Sequence, residues 1–255
     1  RLKNLKKRMD TSAETKSRAL NAGNYYALLI GIENYQYLQD LKTPISDVSK
    51  ISDVLKEQFG FETTVLVDPS RKEILQNISS LRKVLQEQDN LLIYYAGHGY
   101  WDQETDLGFW QPADAEKDDD LAWIATNRIT RTLRGIKSNN IAVISDSCFA
   151  GVLLRGELNQ GPSLDNNIAL QKLMEKKTRI ALASGGLQPV PDNLSGGANS
   201  IFATQFLNGL ENSGEAITAN ALFLGIQNRV ITVTSSLGYD QAPEFSALYD
   251  SGHEG

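Results

Sequence analysis

Two short apolar segments, each ending in a reactive side chain, dominate the pattern of the chain. Residues 91–99 run Leu-Leu-Ile-Tyr-Tyr-Ala and then Gly-His-Gly, and residues 141–148 run Ile-Ala-Val-Ile and then Ser-Asp-Ser-Cys. Short β-branched and aromatic runs of this kind predict buried strands of a parallel sheet. Because residues just beyond the carboxyl ends of such strands line a ligand crevice, His98 and Cys148 should meet at one sheet edge if the two strands are neighbours.

Segments with a helical period alternate with short apolar runs along the rest of the chain. The other predicted strands cover residues 25–32, 62–67, 179–183 and 245–248, the last as an edge strand, and a short extended piece covers 109–112. The predicted helices cover residues 127–136, 168–177, 201–210 and 222–230, after one opened by Pro44 and one opened by a capping box of Ser70 and Glu73. This alternation predicts an α/β fold, a mostly parallel six-stranded sheet with helices on both faces.

Composition and charge narrow the class of protein. The 255 residues are 41% hydrophobic and 22% charged, as in an ordinary globular chain, and no apolar run is long enough to span a bilayer. Seven basic and two acidic residues among the first 18 give that segment a charge of +5, so the remainder carries −11 of the net −6. The negative charge of the chain after residue 18 disfavours binding of nucleic acid and favours a cationic substrate.

The same features suggest how the chain is organised. We predict a basic N-terminal helix or linker over residues 1–22, one domain over 23–250 and a C-terminal tail over 251–255. A chain that begins with Arg1 rather than Met suggests a trimmed piece, with a flanking domain or a regulatory partner missing. A single cysteine excludes an internal disulfide, argues against a structural zinc site, and is typical of a reducing compartment, which favours a cytoplasmic location.

Cys148 and His98 are the candidate nucleophile and base. An imidazole beside a thiol is the minimum arrangement for a thiolate nucleophile, and the alternatives are an inert buried thiol and a hydrogen-bonded core histidine. Gly97 and Gly99 flank the histidine and let a ligand approach closely. The backbone N–H groups of Gly99 and Cys148 are the candidate oxyanion donors. The second histidine, His253, falls in a C-terminal end that we expect to be frayed.

These motifs resemble a known family. Residues 94–100, Tyr-Tyr-Ala-Gly-His-Gly-Tyr, and residues 146–148, Asp-Ser-Cys, closely resemble the histidine and cysteine motifs of caspase-like cysteine peptidases, in their metacaspase and paracaspase branch. The two reactive residues lie 50 positions apart, which fits the caspase spacing, and residues 41–48 and 111–114 resemble the paracaspase pattern. The resemblance runs from about residue 25 to residue 248, and it implies a three-layer caspase-like sandwich and a Cys–His dyad.

The same resemblance implies an acidic S1 pocket for the side chain that precedes the cleaved bond. By position its acids match Asp47 and Asp146, with Asp192 as a third candidate, which implies cleavage after arginine, and after lysine less well. Strand alternation agrees, because Asp146 and Cys148 are two residues apart and should face the same way. A helix cap for Asp47, with Ser46 as the other residue near that cap, and an orienting role for Asp146 stay open as alternatives.

The chain also departs from the family pattern. Residues 149–151 are Phe-Ala-Gly, where metacaspases usually have His-Ser-Gly, and residues 118–120 are three aspartates. Adjacent side chains point in different directions, so we expect a solvated loop at 118–120 and predict no metal or other cofactor. The predicted function is a cysteine endopeptidase for peptide or protein substrates with arginine at P1, with no nucleic-acid or membrane partner. A catalytically silent scaffold for oligomer assembly, and self-cleavage within the exposed loop 155–167, are the other hypotheses.

Overall fold

The computed structural model describes residues 23–148, 177–185, 197–212 and 219–248, with Ser251 and His253. The predicted basic segment 1–22, the loop 155–167, nearly all of the predicted helix 168–177, and Asp192 lie outside the described residues. The described strands are β1 (Tyr25–Gly31), β2 (Glu62–Val67), β3 (Asn90–Ala96), β4 (Gly99–Asp102), β5 (Leu107–Trp110), β6 (Ile124–Ala125), β7 (Asn140–Asp146), β8 (Thr178–Ala183) and β9 (Glu244–Ala247). The described α-helices are α1 (Pro44–Phe59), α2 (Arg71–Val84), α3 (Thr126–Arg134), α4 (Ile201–Glu211) and α5 (Ala219–Ser236).

Six strands form the main sheet, in the order β2-β1-β3-β7-β8-β9. All neighbouring pairs are parallel except β8 with β9, so the predicted mostly parallel six-stranded sheet is confirmed. β3 and β7 are neighbours, with Tyr95 opposite Ser145 and Ala96 opposite Asp146. The two strands therefore end side by side, which is the condition for bringing the residues after them together.

Helices cover both faces of this sheet, and adjacent tyrosines of β3 mark the two sides. Tyr94 packs in an apolar cluster with residues of α1, α4 and α5, and Tyr95 packs in a second cluster with residues of α2 and α3. Both side chains are fully buried. Because successive side chains of a strand alternate between faces, the central strand contributes to both cores, and the fold has three layers.

The start of α1 differs from the prediction in its capping residue. Pro44 lies in the first turn as predicted, but Thr43 is the N-cap residue, without a side-chain capping hydrogen bond. Neither Ser46 nor Asp47 is the cap, since both lie within the first turn of the helix. The carboxylate of Asp47 is thereby left for another role.

A second, three-stranded antiparallel sheet follows β3 directly. β4 pairs with β5, and β5 with β6, whereas the sequence predicted only a short extended piece at 109–112. The stacked rings of Tyr95 and Trp110, with centroids 4.3 Å apart, join this sheet to the main core. Gly99 is the first residue of β4, so the small sheet holds the backbone on the far side of His98.

Ser251 and His253 contact the domain, whereas the sequence predicted that His253 lies in a frayed end. The backbone N–H of Arg179 donates to Nδ1 of His253 at 3.0 Å. The guanidinium of this fully buried arginine donates to four backbone carbonyls, those of Leu133, Ile136, Ser138 and Ser251. Arg179 therefore joins β8 and the end of α3 to Ser251 and His253.

Candidate active site

His98 lies two residues beyond β3 and is partly buried. Its Nε2 atom hydrogen-bonds with the backbone carbonyl oxygen of Gln39 at 2.7 Å. A carbonyl oxygen can only accept, so Nε2 carries the proton and Nδ1 is the nitrogen with a lone pair in the neutral ring. This bond sets the tautomer and makes Nδ1 the candidate base.

Cys148 lies two residues beyond β7, and its thiol is partly buried and not part of a disulfide. It borders a cavity of about 80 Å³ at the carboxyl edge of the sheet. The cavity is lined by Leu41, Thr43, Pro44, Asp47, Ala96, Gly97, His98, Asp146, Ser147, Cys148 and Ser200. The structure thus brings together four side chains predicted from the sequence, those of His98, Cys148, Asp47 and Asp146, whereas Asp192 lies outside the described residues.

Gly99, the candidate oxyanion donor, lies against the backbone of the cysteine. A Cβ atom at this position would overlap the carbonyl oxygen of Cys148 and would come within 3.1 Å of the Ser147 hydroxyl. The small sheet and the end of β7 can therefore approach each other only because residue 99 is glycine. This contact places the two candidate backbone donors on adjoining segments.

Asp47 has only 1% of its surface exposed, and it is hydrogen-bonded from the start of α4. Its Oδ1 atom accepts from Nδ2 of Asn199 at 2.6 Å and from the backbone N–H of Ser200 at 3.1 Å. Lys50 in turn donates from Nζ to Oδ1 of Asn199. The carboxylate is therefore fixed in place by donors that lie about 150 residues further along the chain.

Asp146, 8% exposed, is the second carboxylate of the cavity. Its Oδ2 atom accepts from the hydroxyl of Ser200 at 2.6 Å and from the hydroxyl of Tyr94 at 3.3 Å. Ser200 donates to one carboxylate through its side chain and to the other through its backbone. This serine therefore orients both acids of the cavity.

The environment of Asp47 opposes its negative charge. Burial, and then the nearby carboxylate of Asp146, raise the pKa of Asp47 to about 7. The hydrogen bonds from Asn199 and Ser200 lower it, but they do not outweigh burial. A cation that entered the cavity would relieve this repulsion and favour the ionised carboxylate.

Sequence reasoning missed Gln39, Asn199 and Ser200. The serine directly before the predicted helix 201–210 is a recognisable N-cap, and its hydroxyl does accept from the backbone N–H of Ala203 at 2.9 Å. No pattern in the sequence indicates that this serine also donates to Asp47 and Asp146. Gln39 contacts His98 through its backbone carbonyl oxygen, so any residue type at this position could make the same hydrogen bond.

The aspartates at 118–120 have a local structural role. Oδ1 of Asp119 accepts from the backbone N–H of Leu121 at 2.9 Å and caps the short 3₁₀ helix Asp120–Ala122. Among the described residues, no group of three or more His, Cys, Asp or Glu side chains could hold a metal ion. In the same part of the chain, no helix combines the length and the apolar character needed to cross a membrane.

A thiol and an imidazole that share a cavity at the edge of an α/β sheet are typical of cysteine-type hydrolases. Residues 24–250 match the family model described as the caspase domain of C14 peptidases. The chain therefore belongs to the caspase domain family, which consists of cysteine-type peptidases, and the resemblance seen in its motifs is confirmed.

Individual relatives come from both branches of the predicted resemblance. Metacaspase-7 of Arabidopsis thaliana is 32% identical over 148 residues, which cover 50% of this chain and 35% of that protein. The human mucosa-associated lymphoid tissue lymphoma translocation protein 1 is 33% identical over 106 residues, which cover 42% of this chain and 12% of that protein. The chain thus spans about a third or less of the length of these two relatives, so their substrates and partners are not transferred by the match.

Solved structures agree on the architecture. Caspase-1 from Spodoptera frugiperda superposes with a TM-score of 0.64 at 15% identity, over 88% of this chain and 86% of that one. A protein from Geobacter sulfurreducens superposes with a TM-score of 0.62 at 18% identity, over 91% of this chain and 97% of that one. At these identities the likeness confirms the caspase-like fold alone.

Proposed function

We propose that this domain is a cysteine endopeptidase that cleaves peptide bonds after arginine, with Cys148 as nucleophile and His98 as base and acid. The observation that carries the proposal is the shared cavity, in which these two side chains lie beside two buried carboxylates. The thiol and imidazole supply the chemistry of acyl transfer, and the carboxylates supply a cation site. The reacting groups and the carboxylates line the same cavity, as is required for cleavage of a bond next to the side chain that is recognised.

The proposed reaction begins with proton transfer from the Cys148 thiol to Nδ1 of His98. The thiolate then attacks the peptide carbonyl carbon, and the carbonyl oxygen becomes an oxyanion that accepts from the N–H groups of Gly99 and Cys148. When this intermediate collapses, the C–N bond breaks and the leaving amine takes the proton from the imidazole. His98 next removes a proton from water, the hydroxide attacks the thioester, and the carboxylic acid product and the thiolate are released. Gln39 keeps Nε2 protonated throughout.

Arginine fits the cavity better than lysine does. Asp47 and Asp146 line the same cavity, and both accept hydrogen bonds from Ser200. A guanidinium can donate to two carboxylates in a forked geometry, whereas an ammonium acts as a point charge. We therefore expect lysine at P1 to be cleaved more slowly, and Asp192 stays a proposed third acid of this pocket.

The decisive experiment uses fluorogenic peptides that differ only at P1, with arginine, lysine, aspartate or alanine. We expect the wild-type domain to cleave the arginine peptide fastest, and we expect Cys148→Ala to lose at least about 10³-fold of that rate while its circular dichroism spectrum stays unchanged. Cleavage by Cys148→Ala at the wild-type rate would refute the nucleophile assignment. A faster rate on the aspartate peptide would refute the arginine pocket.

A catalytically silent scaffold is the second candidate. An arginine-containing peptide with an acyloxymethyl ketone group, which alkylates an attacking thiolate, separates the two. Stoichiometric labelling of Cys148 supports the peptidase, and absence of labelling together with absence of cleavage supports the scaffold. We further propose a cytoplasmic location and a flanking domain or regulatory partner, which fractionation and affinity purification of the full-length protein would test.

A further inference from the structure

The loop that joins β1 to α1, residues 32–43, contacts His98 at three points. Besides the Gln39 carbonyl at Nε2, the hydroxyl oxygen of Tyr35 accepts from the backbone N–H of His98 at 2.7 Å. The ring of Tyr35 also packs against the imidazole, with ring centroids 4.7 Å apart and planes tilted by 46°. One loop therefore contacts the ring face, one ring nitrogen and the backbone of the same histidine.

A second tyrosine holds the other end of this residue. The hydroxyl of Tyr95 donates to the backbone carbonyl oxygen of His98 at 2.6 Å, and the hydroxyls of Tyr35 and Tyr95 hydrogen-bond with each other. Both the N–H and the C=O of His98 are thus bonded to a pair of linked phenols. Burial raises the pKa of both phenols, so each remains a neutral hydroxyl in the range where the peptidase would work.

The backbone of His98 is also held by the N–H of Gln111, which donates to its carbonyl oxygen at 3.0 Å, but neither sequence neighbour of the histidine has a side chain that could orient the ring. His98 follows Gly97 and precedes Gly99, and glycine has the widest choice of backbone conformation. Gly97 also makes room for the phenols, since a Cβ atom there would lie 2.8 Å from the Tyr35 hydroxyl and 2.9 Å from the Tyr95 hydroxyl. The orientation of the imidazole is therefore set by its neighbours.

The supporting loop is itself fixed at several points. Oδ1 of Asp68 accepts from the backbone N–H groups of Glu33 and Asn34, at 2.7 and 3.0 Å. The backbone N–H of Tyr35 donates to Oδ1 of Asp40 at 2.9 Å. Tyr35 is only 9% exposed. These hydrogen bonds hold the loop in a defined position, so its contacts with His98 can orient the imidazole.

We propose that Tyr35 is a positioning residue for His98, acting through its hydroxyl and assisted by Tyr95, and that it holds the imidazole where it can exchange a proton with Cys148. The proposal rests on the proposed function, in which His98 is the base. Neither tyrosine is among the residues that line the cavity, so their effect on the reaction passes through the histidine. A displacement of about 1 Å in a catalytic group can reduce a rate about 100-fold.

The first test compares Tyr35→Phe with Tyr37→Phe. The first variant keeps the ring contact and removes the acceptor for the His98 N–H, and the second is a matched control in the same loop, where Tyr37 is 60% exposed. For the arginine peptide we expect kcat of Tyr35→Phe to fall about 10- to 100-fold with KM within about twofold of wild type. Tyr37→Phe should match the wild type. Equal kinetics of the two variants would overturn the proposal.

The second test is alkylation by iodoacetamide, which needs no S1 pocket and can label one cysteine only in this chain. We expect Tyr35→Phe to move the midpoint of the rate–pH profile upward, because a displaced imidazole stabilises the thiolate less. In the His98→Ala background the same substitution should have no further effect. If Tyr35→Phe shifted the midpoint of the rate–pH profile equally with and without His98, Tyr35 would act on the fold and not through His98.

These readouts separate the two proposals. If the wild type leaves the arginine peptide intact while the alkylation profile still depends on Tyr35 through His98, the proposed function is wrong and the positioning role stands. If the peptide is cleaved and the Tyr35→Phe profile matches wild type, the positioning role is wrong and the proposed function stands. Melting temperatures of all variants serve as the control for folding.

Discussion

Ser200 is the residue on which the arrangement of the two acids depends most directly. It donates to Asp146 through its hydroxyl, donates to Asp47 through its backbone, and caps α4. Two carboxylates in one buried cavity repel each other, and donors that both share offset part of that repulsion. The serine therefore links the stability of a helix end to the geometry of the two carboxylates in the proposed substrate pocket.

We expect Ser200→Ala to raise KM for the arginine peptide about tenfold, because a hydrogen bond to a charged group contributes about 1.5–3 kcal/mol. The kcat value and the iodoacetamide rate of Cys148 should change little, since the reacting groups are not touched. Ser200→Thr keeps the hydroxyl and should restore most of the affinity. An unchanged KM in Ser200→Ala would show that the serine serves only α4.

The raised pKa of Asp47 predicts a pH dependence for the proposed binding of arginine. The ionised carboxylate binds the guanidinium, so 1/KM should fall as the pH drops below about 7 and level off above it. Asp47→Asn should bind arginine weakly at every pH and lose this dependence. Steady-state kinetics with the arginine peptide from about pH 5.5 to about pH 8.5, a range that lies on both sides of this pKa, measure the effect.

The carboxyl of Asp47 also makes the stability of the folded domain depend on pH, but its contribution to stability falls as the pH rises. A carboxyl whose pKa is raised on folding stabilises the folded state below its unfolded pKa, near 3.8, and loses that contribution as the pH rises towards 7. Asp47→Asn should therefore be more stable than the wild type at pH 8 and similar to it near pH 4. If thermal melts showed the reverse order, the raised pKa would be wrong.

At the scale of elements, one buried arginine connects β8 to segments outside the sheet, in addition to the pairing of this strand with β7 and β9. The guanidinium of Arg179 satisfies carbonyls at the end of α3 and in the C-terminal residues, as described above. A hydrophobic replacement would leave these buried acceptors without their donor, and each such acceptor costs about 1–3 kcal/mol. The arginine therefore supplies donors to buried carbonyls just beyond α3 and to that of Ser251, in addition to the backbone donor that Leu133 already has from Ile136.

We expect Arg179→Leu to lower the free energy of unfolding by at least about 3 kcal/mol, measured by urea denaturation. Arg131→Leu, at an exposed position of α3, is the matched control and should change it by less than about 0.5 kcal/mol. Below its melting temperature the Arg179 variant should keep the wild-type KM for the arginine peptide. A small change in unfolding free energy would mean that water replaces the guanidinium readily.

At the scale of the molecule, the regular layers were predictable and the contacts between distant segments were not. The strand and helix periods predicted the main sheet, and the capping box of Ser70 and Glu73 is present, with the Ser70 N–H donating to Glu73 at 2.8 Å. The strands β4–β6 were largely missed, because their short aromatic runs alternate with Asp and Gly, which favour turns. The donors from Asn199 to Asp47 were missed because no sequence pattern connects residues so far apart.

The cavity proposed to bind arginine is assembled from three remote parts of the chain, namely the first turn of α1, the end of β7 and the start of α4. During synthesis on the ribosome, a chain that has emerged as far as residue 150 already contains the imidazole and the sulfur. It still lacks the segment that orients the two acids. A nascent chain therefore cannot present both oriented carboxylates until Asn199 and Ser200 have been synthesised.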